Sequence, residues 1–465
     1  MKTSKEVFFW NTLNKAKREF VPLKEGEVSM YTCGPTVYNY AHIGNLRSYF
    51  MADLIKRVLL LNGLKVKQIM NITDIGHLTG DADDSGEDKM VNALKRENKA
   101  LTIENLKNLG EFYFAKFKED LEAMNILFPD NFIFASDETA EYSRLIKDLL
   151  EKGVAYKTTS TIYFDTTKIA NYGAFGGSAS AEHGRIEVDP EKKHPEDFAL
   201  WKFSEDEKVG FNSPLGRGFP GWHIECTAMS FKYLGKKFDI HTGGVDHIGV
   251  HHTNEIAQAE ALTGENPSSF WIHNEHLTMK GSKMAKSADG FLSLQKIKEL
   301  GVSALSYRYF LLTARYSTRV DYSTEALKAS DTAYQKVLNA VANLDTREGI
   351  VLDTYRSKFL DAVNDDLDTP KALALLWELL KDDGISKEDK KATVFYFDEV
   401  LGLNLRNAKK EGVVISDEVR VLLEDRKKAR AEKDWQKSDE LRDKLKHLGF
   451  EVKDVGEEQE LENIK

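Results

Sequence analysis

The strongest constraint on this chain is the stretch Met30–Asn45, Met-Tyr-Thr-Cys-Gly-Pro-Thr-Val-Tyr-Asn-Tyr-Ala-His-Ile-Gly-Asn, with the residues on either side of it. Val28 to Thr32 reads as a buried strand that delivers Cys33 to a Gly-Pro turn. His42-Ile43-Gly44-Asn45 then opens a helical pattern. Leu46, Tyr49, Phe50, Leu54, Val58 and Leu61 recur at helical spacing until Asn62-Gly63 stops it. Lys65 to Ile72 alternates as a second strand. Strand, helix and strand make a βαβ unit, whose ligand crevice lies beyond the carboxyl ends of its strands. Cys33 and Thr73-Asp74 fall at those ends. The helix start beside them offers unpaired N–H groups and a partial positive charge, which suits phosphate. Gly44 would let a ligand approach the backbone closely.

At 465 residues the chain is too long for one core, and roughly two to four domains are expected. Its formal net charge of −10 argues against a uniformly basic nucleic-acid binder, so any such contact must use local basic patches. Cys33 and Cys226 are its two cysteines; they could be buried bystanders, one bridge or metal ligands. The first residues lack the apolar run of a signal peptide, and no apolar stretch reaches membrane-spanning length, so a cytoplasmic enzyme is expected.

Asp74 to Asp88 reads as an acidic loop. Residues 140–200, with a hairpin at Ala155–Asp165 and a Gly/Ser-rich loop at Gly173–Arg185, interrupt the α/β pattern as an insertion. The pattern resumes with Phe198–Phe203, a helix over Gly221–Leu234 and a strand over Phe238–Thr242. After Lys296 the chain reads as helical. Ser416–Leu448 is a charged helix pair, Glu451-Val452 starts a last strand, and Glu457–Lys465 is expected to be a disordered tail.

Three constellations carry chemistry. His251 and Glu255 stand at i and i+4 on one helix face, and with Cys33 and Cys226 they would make a tetrahedral zinc set. Lys280-Gly281-Ser282-Lys283-Met284-Ala285-Lys286-Ser287 can neutralise a polyphosphate and stabilise charge in a transition state. Gly243-Gly244-Val245-Asp246 directly follows a strand, where small residues admit a nucleoside and a carboxylate can accept from ribose hydroxyls.

The order of these motifs resembles the class I aminoacyl-tRNA synthetases, whose signatures are His-Ile-Gly-His and Lys-Met-Ser-Lys-Ser. Within that class the resemblance is to the cysteinyl-tRNA synthetase family. It rests on Cys33–Tyr38, Asn71–Asp74, Pro195–Lys202, Gly221–Cys226 with Ala228-Met229, His251–Gln258, Asp366–Ala374 and the Arg426–Gly449 pattern. It implies an α/β fold: a Rossmann-like parallel-sheet catalytic domain with an insertion, then an α-helical bundle and a small α+β C-terminal anticodon-recognition domain. The implied divisions are 1–139 and 201–290 for the catalytic halves and 140–200 for the insertion. A stem-contact linker at 291–330, a tRNA-binding bundle at 331–408 and the C-terminal domain at 409–465 follow.

The resemblance further implies one Zn²⁺ on Cys33, Cys226, His251 and Glu255, and Mg²⁺ with ATP. Gly34, Thr36, Thr73 and Trp222 would bind L-cysteine, with His223 nearby. His42, Asn45, Lys283 and Lys286 would stabilise phosphate charge, and Gly44, Gly244, Asp246 and Met284 would contact ATP. The partners implied are cysteine tRNA, ATP and L-cysteine, on a monomer. Two signature positions depart: Asn45 replaces a histidine and Ala285 a serine. Val455–Lys465 also lacks the tryptophan common in the family's tail. Two alternatives share most of these features, a tRNA-independent ligase joining cysteine to an amino-sugar and a degenerate zinc- and nucleotide-binding paralogue.

Overall fold

A computed structural model of the chain describes residues 6–74, 89–176, 190–204, 210–279, 282–283, 292–344, 347–409, 417–455 and 458–463. The acidic loop from 75 to 88, residues 177–189 of the Gly/Ser-rich loop, and Met284 and Lys286 of the lysine loop lie outside the described residues.

Five parallel strands form the central sheet: β1 (Glu27–Thr32), β2 (Lys65–Ile72), β3 (Asn131–Phe134), β4 (Phe238–Gly244) and β5 (Ser268–Asn274). Their order is β5-β4-β1-β2-β3. The order reverses between β1 and β4, so the crevice of this doubly wound sheet opens at the carboxyl ends of those two strands. The sequence pattern explains the sheet. β2 begins with alternating burial and is wholly buried toward its carboxyl end, and every residue of β4 is buried. β4 nevertheless carries Asp239, whose carboxylate accepts from Ser29 N at 2.8 Å, Ser29 Oγ at 2.6 Å and Leu23 N at 2.6 Å. A buried charge with its acceptor sites filled avoids most of the desolvation cost.

Helix α1 (Ile43–Leu61) joins β1 to β2. The sequence shows one apolar face, but Arg47, Asp53, Lys56 and Arg57 on the other faces are buried too. The reason is a second cover: Arg308 of the helix Ala304–Leu312 and the carbonyl of Glu399 both engage α1 side chains. Helix α2 (Trp222–Leu234) precedes β4, and α3 (Thr253–Thr263) connects β4 to β5. Beyond β5, the short strand β6 (Leu277–Met279) pairs antiparallel with β7 (Ser282–Lys283) and parallel with β8 (Val320–Asp321).

A four-stranded antiparallel sheet of Ala155–Lys157, Thr161–Phe164, Phe198–Phe203 and Gly218–Pro220 begins in the expected insertion and runs past its expected end at residue 200. Phe198–Phe203 thus extends the hairpin instead of resuming the parallel sheet. An apolar run this short fits either setting, and only pairing decides.

The chain divides into two compact units, residues 1–337 with 344–406 and residues 338–343 with 407–465. The first includes the helices Asp353–Val363, Thr369–Lys381 and Lys387–Leu401. The second pairs the helices Asp417–Ala431 and Trp435–His447 with a hairpin, Phe450–Val455 against Glu458–Asn463. The expected disordered tail is therefore corrected to a strand over residues 458–463. Its charged residues masked the signal, but Leu461 packs on Val419, Leu445 and Val452 and gives the strand one apolar contact to bury. The α/β catalytic fold, helical bundle and small α+β C-terminal unit match the expected class. No helix among the described residues is long and apolar enough to cross a membrane.

Candidate functional site

Cys33 follows the last residue of β1 and is buried. Gly34 comes next because nothing larger fits: its amide donates to Asn71 Oδ1 at 2.8 Å, and an added Cβ would overlap the Asn71 carbonyl oxygen. Thr36 then pairs with Thr73 beyond the end of β2. The expected cysteine contacts Gly34, Thr36 and Thr73 thus meet at the carboxyl ends of β1 and β2. Gly34→Ala should wedge those strand ends apart. We expect about 1–3 kcal/mol of destabilisation from the overlap and roughly a 100-fold fall in cysteine-dependent ATP–pyrophosphate exchange, because about 1 Å of misplacement is that costly. Exchange kinetics and thermal denaturation of this variant check both.

The route from β4 to α3 is unusual. A 3-10 turn, Val245–His247, leads into a π-helical turn, Ile248–His252, and only then into α3. π-turns concentrate at functional sites, and this one places His251 and His252 side by side in the interior. His251 Nε2 lies 3.1 Å from Glu255 Oε1, yet the pair closes no hydrogen bond. A buried imidazole nitrogen and a buried carboxylate oxygen this close stand near the separation of two ligands on one metal ion. Cys33 Sγ, His251, His252 and Glu255 offer ligand atoms that all lie within 4.8 Å of one another. Tetrahedral zinc ligands are separated by about 3.3–3.8 Å, given metal–ligand bonds of about 2.0–2.3 Å.

This compact set differs from the expected one in a single member, His252 in place of Cys226. Cys226 is on the first turns of α2, buried, and within hydrogen-bonding contact of Cys33 and His251. Five donor side chains therefore line one cavity. Burial opposes ionisation of the Cys226 thiol, but the Cys33 hydrogen bond and nearby His251 lower it to about 6. Burial and adjacent Cys226 push the Cys33 thiol well above its usual range. Against burial, His241 and His251 bring Glu255 down to about 2. The cavity is anionic and soft, which is the donor chemistry zinc selects.

A ring of further groups orients these donors. His241 Nε2 contacts Glu255 Oε2 at 2.9 Å, and His223 Nδ1 contacts His251 Nδ1 at 2.9 Å. His252 Nδ1 contacts His273 Nε2 at 2.7 Å, His273 Nδ1 contacts Thr12 Oγ1 at 2.8 Å, and His252 Nε2 lies 3.4 Å from Cys33 Sγ. The Nδ1 atoms of the two candidate ligands His251 and His252 are both held, which fixes where each Nε2 points. Trp222 stacks on His251 with ring centroids 4.0 Å apart and walls the cavity beside the metal donors. Sequence reading missed His252, His241 and His273. The available signal was histidine within strands that are otherwise buried, Phe238–Gly244 and Ser268–Asn274, where a charged side chain is costly.

The described residues expected to meet the nucleotide border the same crevice. His42 caps α1, its Nδ1 accepting from Gly44 N at 3.0 Å. Asn45 is exposed on the first turn of α1. Gly244 ends β4, and the Asp246 carboxylate folds back over it so closely that a Cβ on Gly244 would overlap it; Ser48 of α1 is on the same side. The lysine loop starts from the β6–β7 hairpin. Its far end returns to α1, where Ile43 N donates to Leu292 O at 2.9 Å and Ser293 pairs with His42. The first two motifs and both described ends of the lysine loop therefore border one crevice; the Lys283 side chain, Met284 and Lys286 lie outside the described residues.

A parallel sheet in this order, a His-x-Gly turn capping the helix after its first strand and a lysine loop returning to that cap define a class I aminoacyl-tRNA synthetase. The fold agrees: Mycobacterium tuberculosis methionyl-tRNA synthetase in complex with methionyl-adenylate superposes with a TM-score of 0.53 over 81% of this chain and 90% of its own, at 16% identity. The family model for tRNA synthetases class I (C) catalytic domain matches residues 19–332, and that for the cysteinyl-tRNA ligase anticodon binding domain matches 414–461. The chain is 42% identical to cysteine–tRNA ligase 1 of Burkholderia lata, over 97% of this chain and 96% of that one. It is 39% identical to the cysteine–tRNA ligase of Treponema denticola, over 96% and 97%. The chain belongs to the cysteinyl-tRNA synthetase family and is an aminoacyl-tRNA ligase.

Proposed function

We propose that the chain activates L-cysteine with Mg²⁺–ATP and transfers it to cysteine tRNA, as a cytoplasmic monomer that selects its amino acid through Zn²⁺. The observation that carries this reading is the buried cluster of sulfur, imidazole and carboxylate donors at the β1/β4 switch point, on the same β1–α1 connection as the capped start of α1. Cys33, Cys226, His251 and Glu255 would hold the metal, with His252 held against the Cys33 sulfur by His273. A zinc ion there binds a thiolate and favours thiol ionisation, which a serine hydroxyl cannot match.

The chain's own residues do the rest. Gly34, Thr36 and Thr73 hold the amino acid, and Trp222 closes the pocket around its side chain. The cysteine carboxylate attacks the α-phosphate in line, releasing pyrophosphate, and the terminal tRNA adenosine hydroxyl then attacks the activated carbonyl. His42, Asn45, Lys283 and Lys286 would stabilise the phosphate charge as it shifts. Gly44, Gly244, Asp246 and Met284 would position the nucleotide. No protein nucleophile is required.

On this reading 1–139 and 201–290 are the catalytic halves around the 140–200 insertion, 291–330 is the stem-contact region, 331–408 binds tRNA and 409–465 recognises the anticodon. Lys427 and Lys428 are exposed on the helix Asp417–Ala431. Arg426, which the sequence places in the same basic patch, is instead fully buried against Asp454 at 2.8 Å and is unavailable to RNA. Neutralising Lys427, Lys428 and Arg430 together should raise KM for cysteine tRNA about 5–10-fold, the effect of losing a few phosphate contacts. It should leave cysteine-dependent pyrophosphate exchange unchanged. Aminoacylation and exchange assays on the same preparation test this, and tRNA kinetics that stay normal would remove the patch from the interface. For the function as a whole, an absence of cysteine-dependent exchange would refute the proposal.

A further inference from the structure

Arg47 lies one turn beyond Gly44 on α1, and its side chain is almost wholly buried. Among the described residues no carboxylate is in ion-pair contact with it. Its guanidinium instead meets five backbone carbonyls. Nη1 donates to Glu275 O and His276 O, both at 2.8 Å, and Nη2 to Arg315 O at 3.2 Å, Tyr316 O at 3.2 Å and Thr318 O at 2.5 Å. Burying a charge this way is costly, and desolvation does lower the pKa of this guanidinium. Only arginine has the flat, forked set of donors to span such a cluster; a lysine ammonium has three donors at one point.

The carbonyls belong to two places. Glu275 and His276 lead directly into β6, and Arg315 to Thr318 lead into β8. Those segments also hold each other: Glu275 N donates to Tyr316 O at 2.9 Å, and Tyr322 N to Thr278 O at 2.7 Å. β6 in turn pairs with β7, which carries Lys283. One side chain on the ATP-binding helix therefore pins the entrances to two strands of the small sheet that bears the lysine hairpin. A second tie reinforces it at the helix start, where Tyr307 Oη donates to Ile43 O at 2.9 Å.

We propose that Arg47 is a positioning residue for adenylate formation. It sets the distance between the start of α1, with His42 and Asn45, and the hairpin carrying Lys283. This rests on the reading that Lys283 acts on the ATP phosphates. Displacement of a charge-stabilising group by about 1 Å costs on the order of 100-fold in rate, so the clamp would act on chemistry out of proportion to its effect on stability.

The test uses the full chain with its zinc content measured, and variants R47K, R47Q, K283A and R47Q/K283A. Cysteine-dependent ATP–pyrophosphate exchange is expressed per active site, counted from the adenylate burst, well below each variant's melting temperature. R47K and R47Q should lower kcat/KM for ATP about 30–100-fold, while KM for cysteine and zinc stoichiometry stay within twofold. The double variant should lose clearly less than the product of the two single losses, because the part of the clamp's effect that runs through Lys283 is already gone. R47K is read alone should R47Q not fold, since it keeps the charge and loses the span. Normal exchange per active site in the Arg47 variants, or fully additive losses in the double variant, would overturn the role of Arg47 while K283A remained defective. Normal exchange in K283A would instead overturn the reading of the lysine hairpin on which this inference rests.

Discussion

Cys226→Ala is expected to empty the metal cavity and to lower cysteine-dependent pyrophosphate exchange by about 1,000-fold or more, while His252→Ala keeps its metal. The difference follows from charge. Against its burial, the Cys33 hydrogen bond and nearby His251 lower the Cys226 thiol, which favours it as the anionic sulfur donor. His252 is held neutral: burial and the charges of His241, His273 and His247 keep it well below the usual imidazole range. Its Nδ1 is already committed to His273 at 2.7 Å. Removing a thiolate ligand takes away a bond the metal needs, whereas removing an orienting partner costs about 10–100-fold in affinity. The rate loss has a separate origin. Thiol and hydroxyl differ by one atom, and an apolar pocket separates such isosteres weakly. Selection worth ~5 kcal/mol or more, tenfold per 1.4 kcal/mol, must therefore come from the metal. Bound zinc measured by emission spectrometry, with exchange rates for cysteine and serine, decides the matter. If His252→Ala loses its zinc and Cys226→Ala retains it, the compact set with His252 is the true coordination sphere.

The two cysteines show how far the sequence reaches here. Cys33 and Cys226 are almost two hundred residues apart, and spacing alone leaves them as bystanders, a bridge or ligands. His251 and Glu255 are legible because four residues on a helix bring side chains to one face. The structure keeps that pairing, although the turn that delivers His251 is a π-helix rather than regular α-helix. His241 and His273 stayed hidden because a strand pattern shows only that a residue faces inward. It cannot show that β4 and β5 are neighbours, and that adjacency is what brings both rings to His252 and Glu255. Arg47 was hidden for a related reason. Its role depends on carbonyls more than two hundred residues away, and carbonyls leave no trace in side-chain pattern. The tail over 458–463 was misread because its one packing residue, Leu461, is set among charged ones.

Asp53→Asn is expected to destabilise the chain by about 3–5 kcal/mol, the cost of leaving a buried charge uncompensated. Asp53 is fully buried in the middle of α1, and its carboxylate is the meeting point of three segments. It accepts from Arg57 Nε at 2.9 Å, from Arg308 Nη2 at 2.6 Å and from Leu127 N at 2.9 Å. The two guanidiniums then reach outward. Arg308 donates to Leu401 O at 2.6 Å and Met124 O at 3.1 Å, and Arg57 to Glu399 O at 3.0 Å and Asn125 O at 2.6 Å. One carboxylate thus ties the catalytic sheet's own helix to the turn before β3 and to the end of the helix Lys387–Leu401. An asparagine keeps the shape but removes the carboxylate that bridges the two buried cations, and the other anion near them, Asp398, is already committed to Leu403 N and Leu405 N. The exposed pair Lys17–Asp365 is the contrast: both side chains are about half exposed, and removing it should cost less than about 1 kcal/mol because solvent screens it. Two units need not unfold together, so the comparison uses the midpoint of the transition that abolishes pyrophosphate exchange. Arg308→Met in the Asp53→Asn background should recover part of the loss, since it removes one of the stranded charges. If Asp53→Asn shifts that midpoint no further than Lys17→Ala, the network is not holding α1 to the helices around it.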